Sequence, residues 1–156
     1  MDMQAWRATC SKPISDLLAY WEGKCAGRRM PSRSDIDPAE MIPFLPSLML
    51  VDVVGDERRF VYRLAGTREV EVRGRDPTGK SVEEAFLGAS VGPVLARYEA
   101  VRTSGEAHYV GPDQSQKVSD QFTIEEILRL PLSEDGETVN MIMVFSVNRD
   151  LYKHRD

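Results

Sequence analysis

The sequence predicts an α+β domain: a five-stranded antiparallel sheet with short helices and one longer helix on one face, plus an N-terminal helix. Two observations lead there. Two apolar strand pairs are each closed by a tight turn, GDER at 55–58 and SEDGE at 133–137. Between the pairs lies an unbroken block with helix caps and helical periodicity. Tight turns make neighbouring strands antiparallel, and a single helical block rules out βαβ alternation.

The elements follow in chain order. Ile14, Leu17, Leu18, Trp21 and Cys25 recur at helical spacing, with Pro13 in the first turn and Gly27 as a stop. Such a stripe must be covered, either by its own domain or by the same helix of a second chain. Ile14, Leu17, Leu18 and Trp21 are therefore candidate dimer or partner-docking residues. In SDIDPAEMIPFLP, Asp37 can cap, Pro38 suits the first helical position and Glu40 completes an Asp-x-x-Glu box. Pro43 and Pro46 keep that helix to a turn or two.

SLMLVDVV (47–54) and RFVYRLAG (59–66) form the first hairpin, with Phe60, Tyr62 and Leu64 alternating onto one face. Ser81-Val82-Glu83-Glu84 is a capping box opening a short helix. Val91, Val94, Leu95, Tyr98 and Val101 mark the longer helix, with Pro93 in its first turn and Gly105 as its stop. HYVG (108–111) is a short strand. FTIEEILRLPL (122–132) and TVNMIMVFSVN (138–148) form the second hairpin around Asp135-Gly136, with Pro131 near a strand end or bulge. Residues 111–121, GPDQSQKVSDQ, read as a polar, mobile loop. The expected division is a capping segment at 1–46, a core at 47–148 and a tail at 149–156.

A chain of 156 residues suits one domain with its own core. Its apolar fraction of 42% and charged fraction of 29% are those of a soluble globular protein. The net charge of -5 repels a polyanion, so nucleic-acid binding is not expected. Lys24, Arg28, Arg29 and Arg33 cluster without interleaved aromatics and read as a solvated helix end. Cys10 and Cys25 form no C-x-x-C pair, so no metal site is expected. No secretory signal or membrane span is visible, which points to a cytoplasmic protein with reduced thiols.

Residues 74–81, GRDPTGKS, satisfy the phosphate-loop pattern G-x-x-x-x-G-K-[ST] through Gly74, Gly79, Lys80 and Ser81. Their context does not. REVEVR (68–73) alternates where a phosphate-loop strand is continuously apolar. Asp76 would face phosphate, and Pro77 removes an N–H donor. The only apolar run ending in an acid, LMLVD (48–52), lies upstream rather than downstream.

The strand order gives this stretch another identity. The chain resembles a PAS domain, in which a hairpin runs into short helices, then a longer helix, then three antiparallel strands. In PAS sequences a Gly often ends one short helix and a Gly-Lys or Gly-Arg pair precedes the next; here these match Gly74 and Gly79-Lys80. The resemblance is closer to short stand-alone PAS proteins of alphaproteobacteria. It is carried by MPSRSDIDPAEMIPFLPSLMLVDVV, FVYRLAGT, GRDPTG and LPLSEDGETVNMIM, over about residues 16–148. Glu69 and Glu71 depart from the more apolar segment expected at that point. The resemblance implies that REVEVR is helical or irregular rather than a strand. It also implies sensing rather than catalysis: a small molecule or signalling partner is bound, and the state is relayed through protein contacts.

Haem-binding PAS domains tend to carry a His on the long helix, whereas His108 and His154 lie elsewhere. A photoactive flavin site in this fold needs a reactive Cys on a central short helix, and Cys10 and Cys25 both precede the sheet. Haem and photoactive flavin are thus disfavoured and the cofactor is unassigned. Two imidazoles also leave little material for triad chemistry, and Glu83-Glu84 and Glu125-Glu126 are adjacent pairs whose side chains point apart. Candidate pocket walls are Tyr62, Leu64, Tyr98, Met143 and Phe145, which otherwise simply fill the core. Three readings follow in order: a PAS regulator binding a small ligand or partner and acting as a homodimer, a ligand-free adaptor, and a nucleotide-binding enzyme using Lys80.

Overall fold

The computed structural model describes residues 4–86, 90–114 and 116–152. Helix α1 (Lys12–Cys25) leads through short 3-10 turns to strands β1 (Leu48–Val53) and β2 (Phe60–Ala65). Helices α2 (Thr67–Arg73), α3 (Val82–Ala85) and α4 (Gly92–Ser104) follow. Strands β3 (His108–Val110), β4 (Gln116–Lys117), β5 (Phe122–Leu132) and β6 (Met141–Asp150) complete the chain. Five strands run in the order β2-β1-β6-β5-β3, all antiparallel, and the two-residue β4 joins β5 beside β3.

The expected α+β architecture is present. REVEVR is helical, forming most of α2, which ends on Gly74 in the left-handed conformation at φ +80°. The longer helix starts with Pro93 in its first turn and stops at Gly105, φ +66°. Ser81 caps α3 through the expected box: its hydroxyl accepts from the Glu84 amide, and the Glu84 carboxylate accepts from the Ser81 amide.

Four local expectations are corrected. Asp37 does cap its turn, accepting from the Ala39 amide, but Glu40 does not close the box. Its carboxylate instead takes the Tyr20 hydroxyl at 2.9 Å and pairs with Lys24 at 2.8 Å. The last strand begins at Met141 rather than 138, because the Asp135 carboxylate gathers the amides of Glu137 and Thr138 into a wider turn. The strand also runs to Asp150, two residues past the strand end expected at Asn148. The loop 111–121 contains a 3-10 turn, Pro112–Gln114, and strand β4.

The fourth correction sets the site. Phe60 and Tyr62 share a face, but Leu64 does not join them. Tyr62 stands opposite Val51 and Leu64 opposite Leu50, so two residues of β2 advance where β1 advances one. Arg63 is the extra residue of a β-bulge, which turns Leu64 to the other side of the sheet.

The sheet therefore has two covered faces. Met49, Val51, Tyr62, Arg129, Val144 and Ser146 point to the side of α2 and α4, where Phe60 packs on Tyr98 with ring centroids 5.3 Å apart. Leu48, Leu50, Leu128, Leu130, Met143 and Phe145 point to the opposite side. There α1 lies on β5, and the Trp21 indole donates to the Pro131 carbonyl at 2.9 Å. Ile14, Leu17, Leu18 and Trp21 are all buried within this core. Their stripe is covered by the chain's own sheet and has no surface left for a second copy, which corrects the docking role expected of it.

Candidate functional site

The proposed pocket residues fall on both sides of the sheet. Tyr62 and Tyr98 line a small, partly open cavity between the sheet, α2 and α4. Leu64 and Met143 line an open groove on the other side. Phe145 is core beneath the capping segment, edge-on to Phe44 at 5.6 Å. Among the described residues the five do not share either chamber, and the bulge at Arg63 is the reason Leu64 parts from Tyr62.

The cavity measures about 50 Å³. Met49, Ile127 and Val144 give it an apolar floor, while Arg73 of α2, Arg97 of α4 and Arg129 of β5 project polar groups into it. Glu69, one helical turn before Arg73, is fully buried. One of its oxygens accepts a hydrogen bond from the Ser146 hydroxyl of β6. The other lies 3.5 Å from Arg73 Nε, close enough to pair electrostatically yet with neither atom hydrogen-bonded among the described residues. Burial pushes the Glu69 carboxyl above its usual range, against the pull of Arg73 and the Ser146 hydroxyl.

Arg129 is 3% exposed and its Nε has no hydrogen-bond partner among the described residues. Its guanidinium carbon sits 4.6 Å from the centre of the Tyr98 ring. That cation–π contact uses the face of the guanidinium and leaves its rim pointing away from the ring. Arg97 is half-buried and donates to Gln114 Oε1 at 2.7 Å. Burial and the neighbouring Arg129 charge hold its guanidinium below the ordinary arginine value. Burial likewise raises the Tyr62 phenol, so that ring stays neutral.

None of these arginines was singled out from sequence. A signal existed for Arg129: it is the lone charge in ILRLPL, the otherwise apolar second half of its strand. Glu126 belongs in the sequence to an adjacent pair with Glu125 whose side chains point apart. It is buried at the end of the second β-bulge, accepting the Tyr109 hydroxyl at 2.6 Å and the Ser11 amide at 3.1 Å. Trp6 stacks on that tyrosine at 4.8 Å, tying the N-terminal segment to β3.

The second chamber is an apolar groove of about 380 Å³ between the capping segment and β1–β2, lined by Ile36, Met41, Leu45, Leu50, Leu64 and Met143 among others. Leu64 and Leu45 remain substantially exposed along it.

The segment GRDPTGKS is folded against β2, and the amides of Thr78 to Ser81 are already spent. Thr78 donates to Asp76, Gly79 to the Tyr62 carbonyl, Lys80 to the Pro77 carbonyl and Ser81 to Glu84. A phosphate cradle needs those N–H groups free and convergent. Lys80 is exposed. Burial raises the thiols of Cys10 and Cys25 above their usual value, so neither is an activated thiolate, and neither lines the cavity. The His108 Nε2 lies 3.2 Å from the Ser104 hydroxyl, and His154 is outside the described residues. Among the described residues no group of three or more His, Cys, Asp or Glu is arranged to hold a metal, and no helix is long and apolar enough to cross a membrane.

A family profile described as a PAS domain matches residues 10–145. No curated protein matches the chain. Among solved structures it is similar to the crystal structure of a sensory box sensor histidine kinase from Vibrio cholerae. The TM-score is 0.49 at 17% identity, over 73% of this chain and 90% of that one.

Proposed function

The chain belongs to the PAS domain family, and from that premise we propose that it takes up a small ligand in the cavity beside α2 and α4 and relays the bound state to a protein partner. PAS domains are as a rule sensory and non-catalytic. The observation that carries the reading is the polar lining of the cavity. Arg73 and Arg129 line it, and the Nε of each is buried without a hydrogen bond among the described residues, as is Glu69 Oε2 behind Arg73. Buried polar groups are satisfied in nearly all native folds, so a cluster of unsatisfied ones around a void marks the place for a missing partner. A cavity meant only to be filled core would be lined by apolar groups.

The proposal extends to the finer resemblance, a short stand-alone PAS regulator of the alphaproteobacterial kind, cytoplasmic and working as a homodimer. It also retains a capping segment at 1–46, a core at 47–148 and a tail at 149–156. With the α1 stripe covered, a homodimer would use another surface, and light scattering of the purified chain reads its mass directly. The ligand is tested by comparing native and denatured mass spectra. A reproducible non-covalent adduct is the expected result. A bare chain that also shows no thermal shift across a metabolite panel would sink the reading.

A second reading has its own observation. The exposed apolar rim of the groove, at Leu45 and Leu64, suits an adaptor that needs no ligand. Leu64→Glu separates the two: it abolishes partner capture by an adaptor and leaves uptake into the cavity unchanged.

A further inference from the structure

Helix α2, helix α4 and β5 bring three guanidinium groups to one small cavity, those of Arg73, Arg97 and Arg129. Of these, only Arg73 faces a carboxylate among the described residues, Glu69 at 3.5 Å. The side-chain bond of Arg97 goes to a neutral amide. Arg129 lies against an aromatic ring with its Nε unbonded. Among the described residues neither Arg97 nor Arg129 thus has an ion-pair partner within 4.0 Å at this cavity, and the acids near Arg97, Glu125 and Glu126, share a separate small cavity with it. Burying a cation without a partner costs free energy, and an apolar side chain would fill the same volume without that cost. Packing alone gives no reason for this arrangement.

We propose that the cavity is a receptor for a small oxyanion, a carboxylate or phosphate group held between Arg129 and Arg97 with Arg73 completing the positive wall. The assignment rests on the ligand-sensing reading above and gives it a chemical class. A guanidinium presents a planar fork of donors that meets either group with two parallel hydrogen bonds. A space of about 50 Å³ holds roughly three to five non-hydrogen atoms, at ~10–15 Å³ for one water. That is the size of acetate or phosphate, far short of a nucleotide. The carboxylate of Glu69 does not cancel the site, because one oxygen is taken by Ser146 and the other faces Arg73.

The test is a thermal-shift titration of the purified chain with sodium acetate and with sodium phosphate, at ionic strength held constant with sodium chloride. The expected result is a saturable rise of the midpoint above the chloride baseline. The salt that produces it identifies the carboxylate or the phosphate class. Arg97→Gln and Arg129→Met should each weaken that response by about ten- to a hundredfold in apparent affinity, the effect of losing a charged hydrogen-bond donor. Arg129→Met should keep or raise the midpoint in the absence of anion, so a folding failure is visible as such, and the half-buried Arg97 provides an independent variant. A midpoint that does not rise above chloride, or a response that persists in both variants, overturns the oxyanion receptor. A neutral adduct in the native mass spectrum without any anion response removes the anion assignment and leaves the sensor reading standing. Absence of both removes both.

Discussion

Moving the Arg129 side chain from water to a position 3% exposed, with Nε unbonded and the Tyr98 ring as its main contact, works against folding. Replacing a buried charge by a well-packed apolar residue of similar length is often stabilising by about 1–4 kcal/mol. Arg129→Met is therefore expected to raise the ligand-free thermal midpoint by several degrees, at ~2–4 °C per kcal/mol for a chain of this size; calorimetry checks it. Asp135 behaves in the opposite way. Its carboxylate accepts from the amides of Thr138 and Glu137 and from the Ser133 hydroxyl, which lower its pKa to about 2. A folded-state value below the unfolded one contributes stability that is present above about pH 4 and is lost as pH falls toward 2. Asp135→Ala should therefore unfold earlier than the parent at pH 7, with the gap closing through that window in acid-titrated melts. At this scale the sequence was only half legible. Asp135-Gly136 announced a turn through its residue types. Glu69 did not announce its burial, because REVEVR alternates like a half-exposed strand, and only its helical winding brings Glu69 and Arg73 onto one face.

Among the elements, α1 shows how an amphipathic pattern fixes burial but leaves the covering surface open. The spacing of Ile14, Leu17, Leu18 and Trp21 was readable; that the sheet rather than a second chain covers them depends on tertiary contacts with β5. Leu17→Ala, at a fully buried position, should cost about 2–5 kcal/mol by denaturant titration. The join between β2 and α2 is tighter still. A Cβ on Gly66 would stand 2.2 Å from the Leu45 carbonyl oxygen and 2.5 Å from that of Pro46. These are backbone atoms that cannot swing aside, so Gly66→Ala should destabilise by ~1–3 kcal/mol or more in the same titration. The bulge at Arg63 had no sequence signature, since FVYRLA reads as an ordinary alternating strand. One unannounced residue there moved Leu64 to the wrong face of every pocket inferred from alternation.

For the whole molecule, strand order was recoverable only through family resemblance, because local patterns do not say which hairpins lie side by side. The hydrophobic periods and turns gave the antiparallel pairs; the central place of β6, between β1 and β5, is a long-range result. Amides of β6 should consequently exchange most slowly in a hydrogen–deuterium experiment, and those of β3 and β4, at the edge, much faster. An edge strand exchanging as slowly as β6 would contradict this sheet order.

The bulge in β2 has a mechanical meaning. Met49 borders both the polar cavity and the apolar groove, and Tyr62 and Leu64, two residues apart, face opposite chambers. The sheet there is a partition one strand thick, with Arg63 as a residue of slack in its outer edge. Because close-packed walls do not compress, the proposed ligand, on entering the tyrosine side, would press the partition toward the leucine side, and occupancy of the small chamber would be read in the shape of the open one.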